Sequence, residues 1–92
     1  FSGFLDANAL TDGFSLAKVR PLPSITGKTV KDIGLRSKYN LNIILIEQAD
    51  NTKVEPEPSY RLRADDTLYI TGRDSALASY ARELEKERKA KD

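Results

Sequence analysis

Leu41-Asn42-Ile43-Ile44-Leu45-Ile46 is the stretch that decides the fold. An apolar run this short and this rich in β-branched residues reads as a central strand buried on both faces. Asn40 stands just before it, where a helix must stop, and asparagine is second only to glycine at a left-handed cap. The helix it ends spans residues 27–38, with Val30 and Ile33 sharing one buried face. Beyond the run, Ala49-Asp50-Asn51 is a hairpin-like turn, and residues 52–55 form a short partner strand closed off by Pro56 and Pro58.

Toward the N-terminus, Thr11-Asp12-Gly13 is a breaker. Residues 14–20 then read as a strand, with Phe14 and Leu16 on one face and Ala17 and Val19 on the other. Pro21 and Pro23 end it, because neither can donate to a ladder. Residues 1–13 read as the remnant of a linker or helix from an upstream domain, and an opening without methionine suggests a piece of a longer protein.

Toward the C-terminus, residues 60–64 are irregular, with Leu62 as core anchor, and Asp65-Asp66 is a tight turn. Residues 67–72 form a strand with Leu68 and Ile70 on one face. Asp74 then reads as a helix N-cap. Leu77, Tyr80, Ala81 and Leu84 follow as the buried stripe. Residues 85–92 read as a solvated helical tail, with Glu85–Lys89 and Glu87–Lys91 paired four apart. The expected order is β-α-β-β-β-α, a small α+β sandwich whose domain proper is residues 14–84.

Composition narrows the chemistry. A chain of 92 residues buries only roughly 60–65% of its unfolded surface, which leaves little room for a deep cleft. It contains no cysteine and no histidine, so thiolate and imidazole sites are excluded, and with them histidine bases. Net charge is +1, but unevenly spread. Lys18, Arg20, Lys28, Lys31, Arg36 and Lys38 face only Asp32 in their segment, whereas acids dominate from Glu47 to Asp66. Such a basic segment suits a small anion as well as it suits nucleic acid.

Three motifs imitate chemistry without supplying it. Gly27-Lys28-Thr29 resembles the end of a phosphate-binding loop, but Leu22 stands where the first glycine belongs, between Pro21 and Pro23. Glu55 and Glu57 alternate with prolines in an extended segment where nothing would raise either pKa. Asp65-Asp66 alone cannot cage a hard cation. No nucleophile–base pair or metal cage can be assembled, so the chain reads as a binding module and not an enzyme. Its most informative polar pair is Arg36, near the end of the first helix, and Asn42, an amide among aliphatics that needs partners.

A wider pattern carries a resemblance. Ser15-Leu16-Ala17-Lys18-Val19, then residues 25–39 with Ile25-Thr26-Gly27-Lys28-Thr29-Val30-Lys31-Asp32-Ile33-Gly34-Leu35-Arg36, follow in order. Asn42-Ile43-Ile44, Glu55-Pro56 and Leu62-Arg63-Ala64-Asp65-Asp66-Thr67-Leu68-Tyr69-Ile70-Thr71-Gly72 complete it. Over residues 11–84 this order and spacing resemble the TrkA C-terminal domain, the C-terminal lobe of the RCK regulatory module. The family usually has glycine where this chain has Asn40 and Asp65, and both substitutes tolerate left-handed turns.

The resemblance implies a regulatory domain on the cytoplasmic side of a potassium channel or transporter, peripheral to the inner face of the membrane through its parent protein. It implies a homodimer and, in the KtrA-like branch, cyclic di-AMP as a small dinucleotide ligand at the dimer interface. No cofactor and no nucleic acid partner are implied. Arg36 would contact phosphate and Asn42 would hydrogen-bond at the same site, with Val30, Lys31 and Pro58 against the nucleotide. Two other readings stand beside this one. The first is a regulatory or scaffold domain of a cation–proton antiporter, with another ligand or none. The second, from the basic segment alone, is a nucleic-acid-binding module, which salt-dependent binding to DNA or RNA would reveal.

Overall fold

The computed structural model describes residues 3–91, with the side chain of Lys91 left out. Two strands open it, β1 (Phe4–Thr11) and β2 (Phe14–Val19). A 3-10 turn (Pro23–Ile25) leads to two short helices, α1 (Val30–Ile33) and α2 (Leu35–Tyr39). Strands β3 (Asn42–Glu47), β4 (Lys53–Val54) and β5 (Thr67–Arg73) follow, and α3 (Asp74–Lys91) closes the chain. The strands form one antiparallel sheet in the order β1-β2-β5-β3-β4.

One face of this sheet makes the core. Ala17 and Val19 of β2, Leu68 and Ile70 of β5 and Ile46 of β3 are fully buried there. Leu77, Tyr80 and Leu84 of α3 pack into the same apolar cluster. The Tyr80 hydroxyl accepts from the Leu22 amide at 3.1 Å and donates to the Arg20 carbonyl at 2.8 Å, so the proline-rich exit of β2 is tied to α3. Leu62 is buried as expected.

The α+β class stands, but several expectations change. Residues 4–11 form a strand, not a helix. Gly13 (φ 77°) allows the chain to reverse, and β1 then pairs with the free edge of β2, Ala7 opposite Ala17 and Asn8 opposite Leu16. Residues 1 and 2 of that stretch lie outside the described residues. The helix expected over 27–38 is two helices. Thr29 caps the first by accepting from the Asp32 amide, and Gly34 (φ 57°) stops it after one turn. Asn40 takes the expected left-handed cap (φ 58°) after α2. Asp65 has no positive φ. The other left-handed non-glycine residue among those described is Asn51 (φ 71°), in the turn after Asp50.

The middle strand is β5, not β3. Only one sheet face meets α3, so β3 is not buried on both sides, and Ile44 is 50% exposed. The register of β3 on β5 also slips between Ile43 and Leu45. Asp74 begins α3 as expected, but its carboxylate accepts from the Ser15 hydroxyl at 2.7 Å. The tail is not purely solvated. Glu87 accepts from both the amide and the hydroxyl of Ser24, at 2.8 and 2.7 Å, and so ties the last turns of α3 to the 3-10 turn. The Lys89–Glu85 pair forms at 3.6 Å. The Glu87–Lys91 pair and Asp92 fall outside the described atoms.

Candidate functional site

A groove of about 230 Å³ runs between α1–α2 and the first half of β3. Its walls include Val30, Lys31, Arg36, Asn42, Ile43 and Pro56. Two short helices with a sharp bend at Gly34 create it. α1 ends after four residues at the left-handed Gly34, and α2 starts directly from it. Ile33 and Leu35, on either side of the bend, are buried in the core and fix both helices from below. Tyr39 meets Tyr80 edge-on, with centroids 5.9 Å apart, and so seats α2 on α3.

Arg36 and Asn42 meet in this groove. The Arg36 Nη1 donates to Asn42 Oδ1 at 2.8 Å, across the left-handed turn at Asn40. Both residues are exposed, so the amide expected to need a partner has one without being buried. This bond uses one of the guanidinium's five donors and orients the flat face of the others. Lys31 adds a second cation, and no carboxylate is among the lining residues. Such a site favours an anion with an apolar or aromatic body, since Val30, Ile43 and Pro56 supply the non-polar wall.

Of the five residues named from the sequence, four (Arg36, Asn42, Val30 and Lys31) line the groove. Pro58 does not. It is exposed, and its part is indirect: its carbonyl accepts from the Lys31 amide at 3.0 Å. Pro56 stands on the wall instead. The alternation of proline and glutamate over residues 55–58 offered no way to tell which proline turns inward.

The phosphate-loop imitation resolves as structure. The Gly27 amide donates to the Leu62 carbonyl and the Lys28 amide to the Ile25 carbonyl, so neither is free for phosphate. No group of three or more potential metal-ligating acids lies together among the described residues. The sequence reading missed the role of Asp66. Its side chain is wholly buried, and Oδ2 accepts from the Tyr60 hydroxyl and the Arg63 amide, each at 2.9 Å. Tyr60 also accepts from Gln48 Nε2 at 3.2 Å. Burial raises its phenol above the ordinary value, and the neighbouring Asp66 adds to the rise against the opposing bond from Gln48. The doubled aspartate was a signal for a turn, but not for which of the two points inward.

Residues 16–85 match the TrkA-C domain family. The chain belongs to that family. The β1 strand and the last turns of α3 lie outside the match. An uncharacterised transporter of Rhodopirellula baltica is 41% identical over 61 residues, which are 64% of this chain and 11% of that protein. The Ktr system potassium uptake protein C of Bacillus subtilis is 24% identical over 80 residues, 87% of this chain and 36% of that protein. This TrkA-C chain therefore spans only a minor part of the length of either relative.

Solved structures agree on the fold. The RCK domain of GsuK superposes with a TM-score of 0.73 at 24% identity, over 90% of this chain and 18% of that one. The RCK C domain of the potassium transport protein KtrA, solved with cyclic diadenosine monophosphate, superposes with a TM-score of 0.69 at 25% identity. That match covers 77% of this chain and 84% of that one. No helix among the described residues is long and apolar enough to cross a membrane.

Proposed function

We propose that this TrkA-C domain binds cyclic di-AMP between two copies of itself and thereby regulates a potassium channel or uptake protein from its cytoplasmic side. The observation that carries this reading is the groove, where Arg36, Lys31 and Asn42 surround an apolar wall with no opposing carboxylate. The KtrA domain, whose fold this chain shares, was solved with that dinucleotide. A ligand with two symmetric phosphates suits two copies of Arg36 facing each other across a two-fold axis, because it relieves their mutual repulsion. Regulation is then a population shift: the ligand favours the dimer geometry that presents both grooves to it, and the parent protein reads that geometry. In this reading the domain holds no cofactor and performs no catalysis.

Calorimetric titration of cyclic di-AMP into the purified chain tests this. The expected result is saturable binding at one ligand per two chains. Arg36→Ala removes two charge-assisted contacts per dimer, each about 1.5–3 kcal/mol, so binding weakens by roughly a hundredfold or more. Equal binding by Arg36→Ala would reject the site. No binding by the wild type at millimolar ligand would reject the ligand. The reading would then pass to a regulatory or scaffold domain of another transporter, such as a cation–proton antiporter.

A further inference from the structure

Residues 55–62 form a strap alongside α1, and most of it has little hold on the core. Glu55, Glu57, Pro58, Ser59 and Arg61 are all exposed. Yet its backbone carries the start of α1. The Val30 amide donates to the Tyr60 carbonyl at 2.9 Å, and the Lys31 amide to the Pro58 carbonyl at 3.0 Å. These are first-turn amides, which no helix can satisfy from within. Whatever places Tyr60 and Pro58 therefore places Val30 and Lys31.

The backbone pairing of Leu62 with Gly27 and Lys28 holds the far end of the strap, and Tyr60 is placed within it by its side chain as well. Its hydroxyl donates to Asp66 Oδ2, and the same oxygen takes the Arg63 amide, which fixes the carboxylate at the entry to β5. Gln48, just after β3, holds the hydroxyl from the other side. A buried carboxylate is costly, and Asp66 Oδ1 finds no partner among the described residues. Two bonds on a single oxygen are what the fold keeps in return for that cost. One continuous route thus runs from the turn that enters the middle strand to the groove. It passes from Asp66 to the Tyr60 ring, through the Tyr60 carbonyl, to the Val30 amide.

We infer that the Asp66–Tyr60 hydrogen bond is a positioning clamp for the ligand groove, holding the strap so that α1 presents Val30 and Lys31 in register with Arg36 and Asn42. The clamp's importance for binding rests on the reading of the groove as a cyclic di-AMP site, whereas its hold on α1 does not. Neither Tyr60 nor Asp66 lines the groove. Both act through the backbone of α1.

Tyr60→Phe tests the clamp, because it keeps the ring and removes only the hydroxyl. Amide hydrogen exchange is followed by NMR on the whole chain, and cyclic di-AMP binding is measured in parallel. The expected result is exchange at Val30 and Lys31 about tenfold faster, with the β2–β5 ladder around Ala17 and Ile70 unchanged. Dinucleotide binding should weaken by about tenfold. Unchanged exchange at Val30 and Lys31 would overturn the clamp. Acceleration spread equally over the sheet would also overturn it, since that is the mark of general destabilisation. Faster local exchange with unaltered dinucleotide affinity would sever the clamp from the site. If the wild type binds no cyclic di-AMP, the functional reading fails, and the exchange pattern alone still decides whether Tyr60 holds α1.

Discussion

The sheet under α3 and the α1–α2 segment with its strap are built on different forces. Under α3, five strand residues (Ala17, Val19, Ile46, Leu68 and Ile70) are fully buried against a helix stripe with a single polar atom to satisfy, the Tyr80 hydroxyl. Around the groove, a one-turn and a five-residue helix hang on the buried Ile33 and Leu35. Backbone bonds to the strap and a tyrosine–carboxylate contact complete their support. Burial is non-directional and cumulative, whereas hydrogen bonds set direction and add little net energy. The first region therefore supplies stability and the second supplies geometry. A binding site can be altered in the second without unfolding the first.

The largest expected effect lies in the apolar half. Leu68 is fully buried in the middle strand, between β2 and β3. Leu68→Ala should cost about 2–5 kcal/mol in urea unfolding, from lost transfer energy and the cavity left behind. A loss below about 1 kcal/mol would mean that the sheet relaxes around the cavity, and the contrast between the halves would collapse.

A middle-sized effect lies where the halves join. Burial disfavours the Glu87 carboxylate, but the two Ser24 hydrogen bonds outweigh it, with Lys38 nearby, and hold its pKa below the usual glutamate value. A depressed folded pKa means stability that is present above the unfolded value, about 4.3, and lost as pH falls through the lower folded value. At neutral pH Glu87→Gln should cost about 1 kcal/mol, after discounting for solvent screening. The difference between wild type and variant should shrink toward zero in denaturation curves taken below the folded pKa. A difference that persists undiminished there would show that Glu87 acts by packing, and the tail would then belong to the apolar half.

The smallest expected effect sharpens the comparison most. Arg36 is exposed, and it donates to the exposed Asn42. Arg36→Ala should leave unfolding free energy within about 0.5 kcal/mol of wild type while weakening ligand binding by roughly a hundredfold or more. A stability loss of several times that size would place Arg36 among the supports of the fold and weaken its standing as a ligand contact.

Residue order alone determined the α+β class, the alternating faces of β2 and β5, the buried stripe of α3 and the left-handed stop at Asn40. These follow from local rules, apolar period and turn chemistry, whereas Val30, Lys31, Arg36 and Asn42 were named together only through the family resemblance. Tertiary structure decided the rest. Residues 4–11 have no strong period of their own and became a strand because β2 offered a free edge. Gly34 could have sat within a longer helix, and it bends the chain because Ile33 and Leu35 are both drawn into the core. β3 reads as buried on both faces, yet α3 is a single helix and can cover only one side of the sheet. Which proline lines the groove, and which of two adjacent aspartates turns inward to hold Tyr60, depends on contacts between residues distant along the chain or on which neighbour finds room. Local sequence contains neither the partner nor the space.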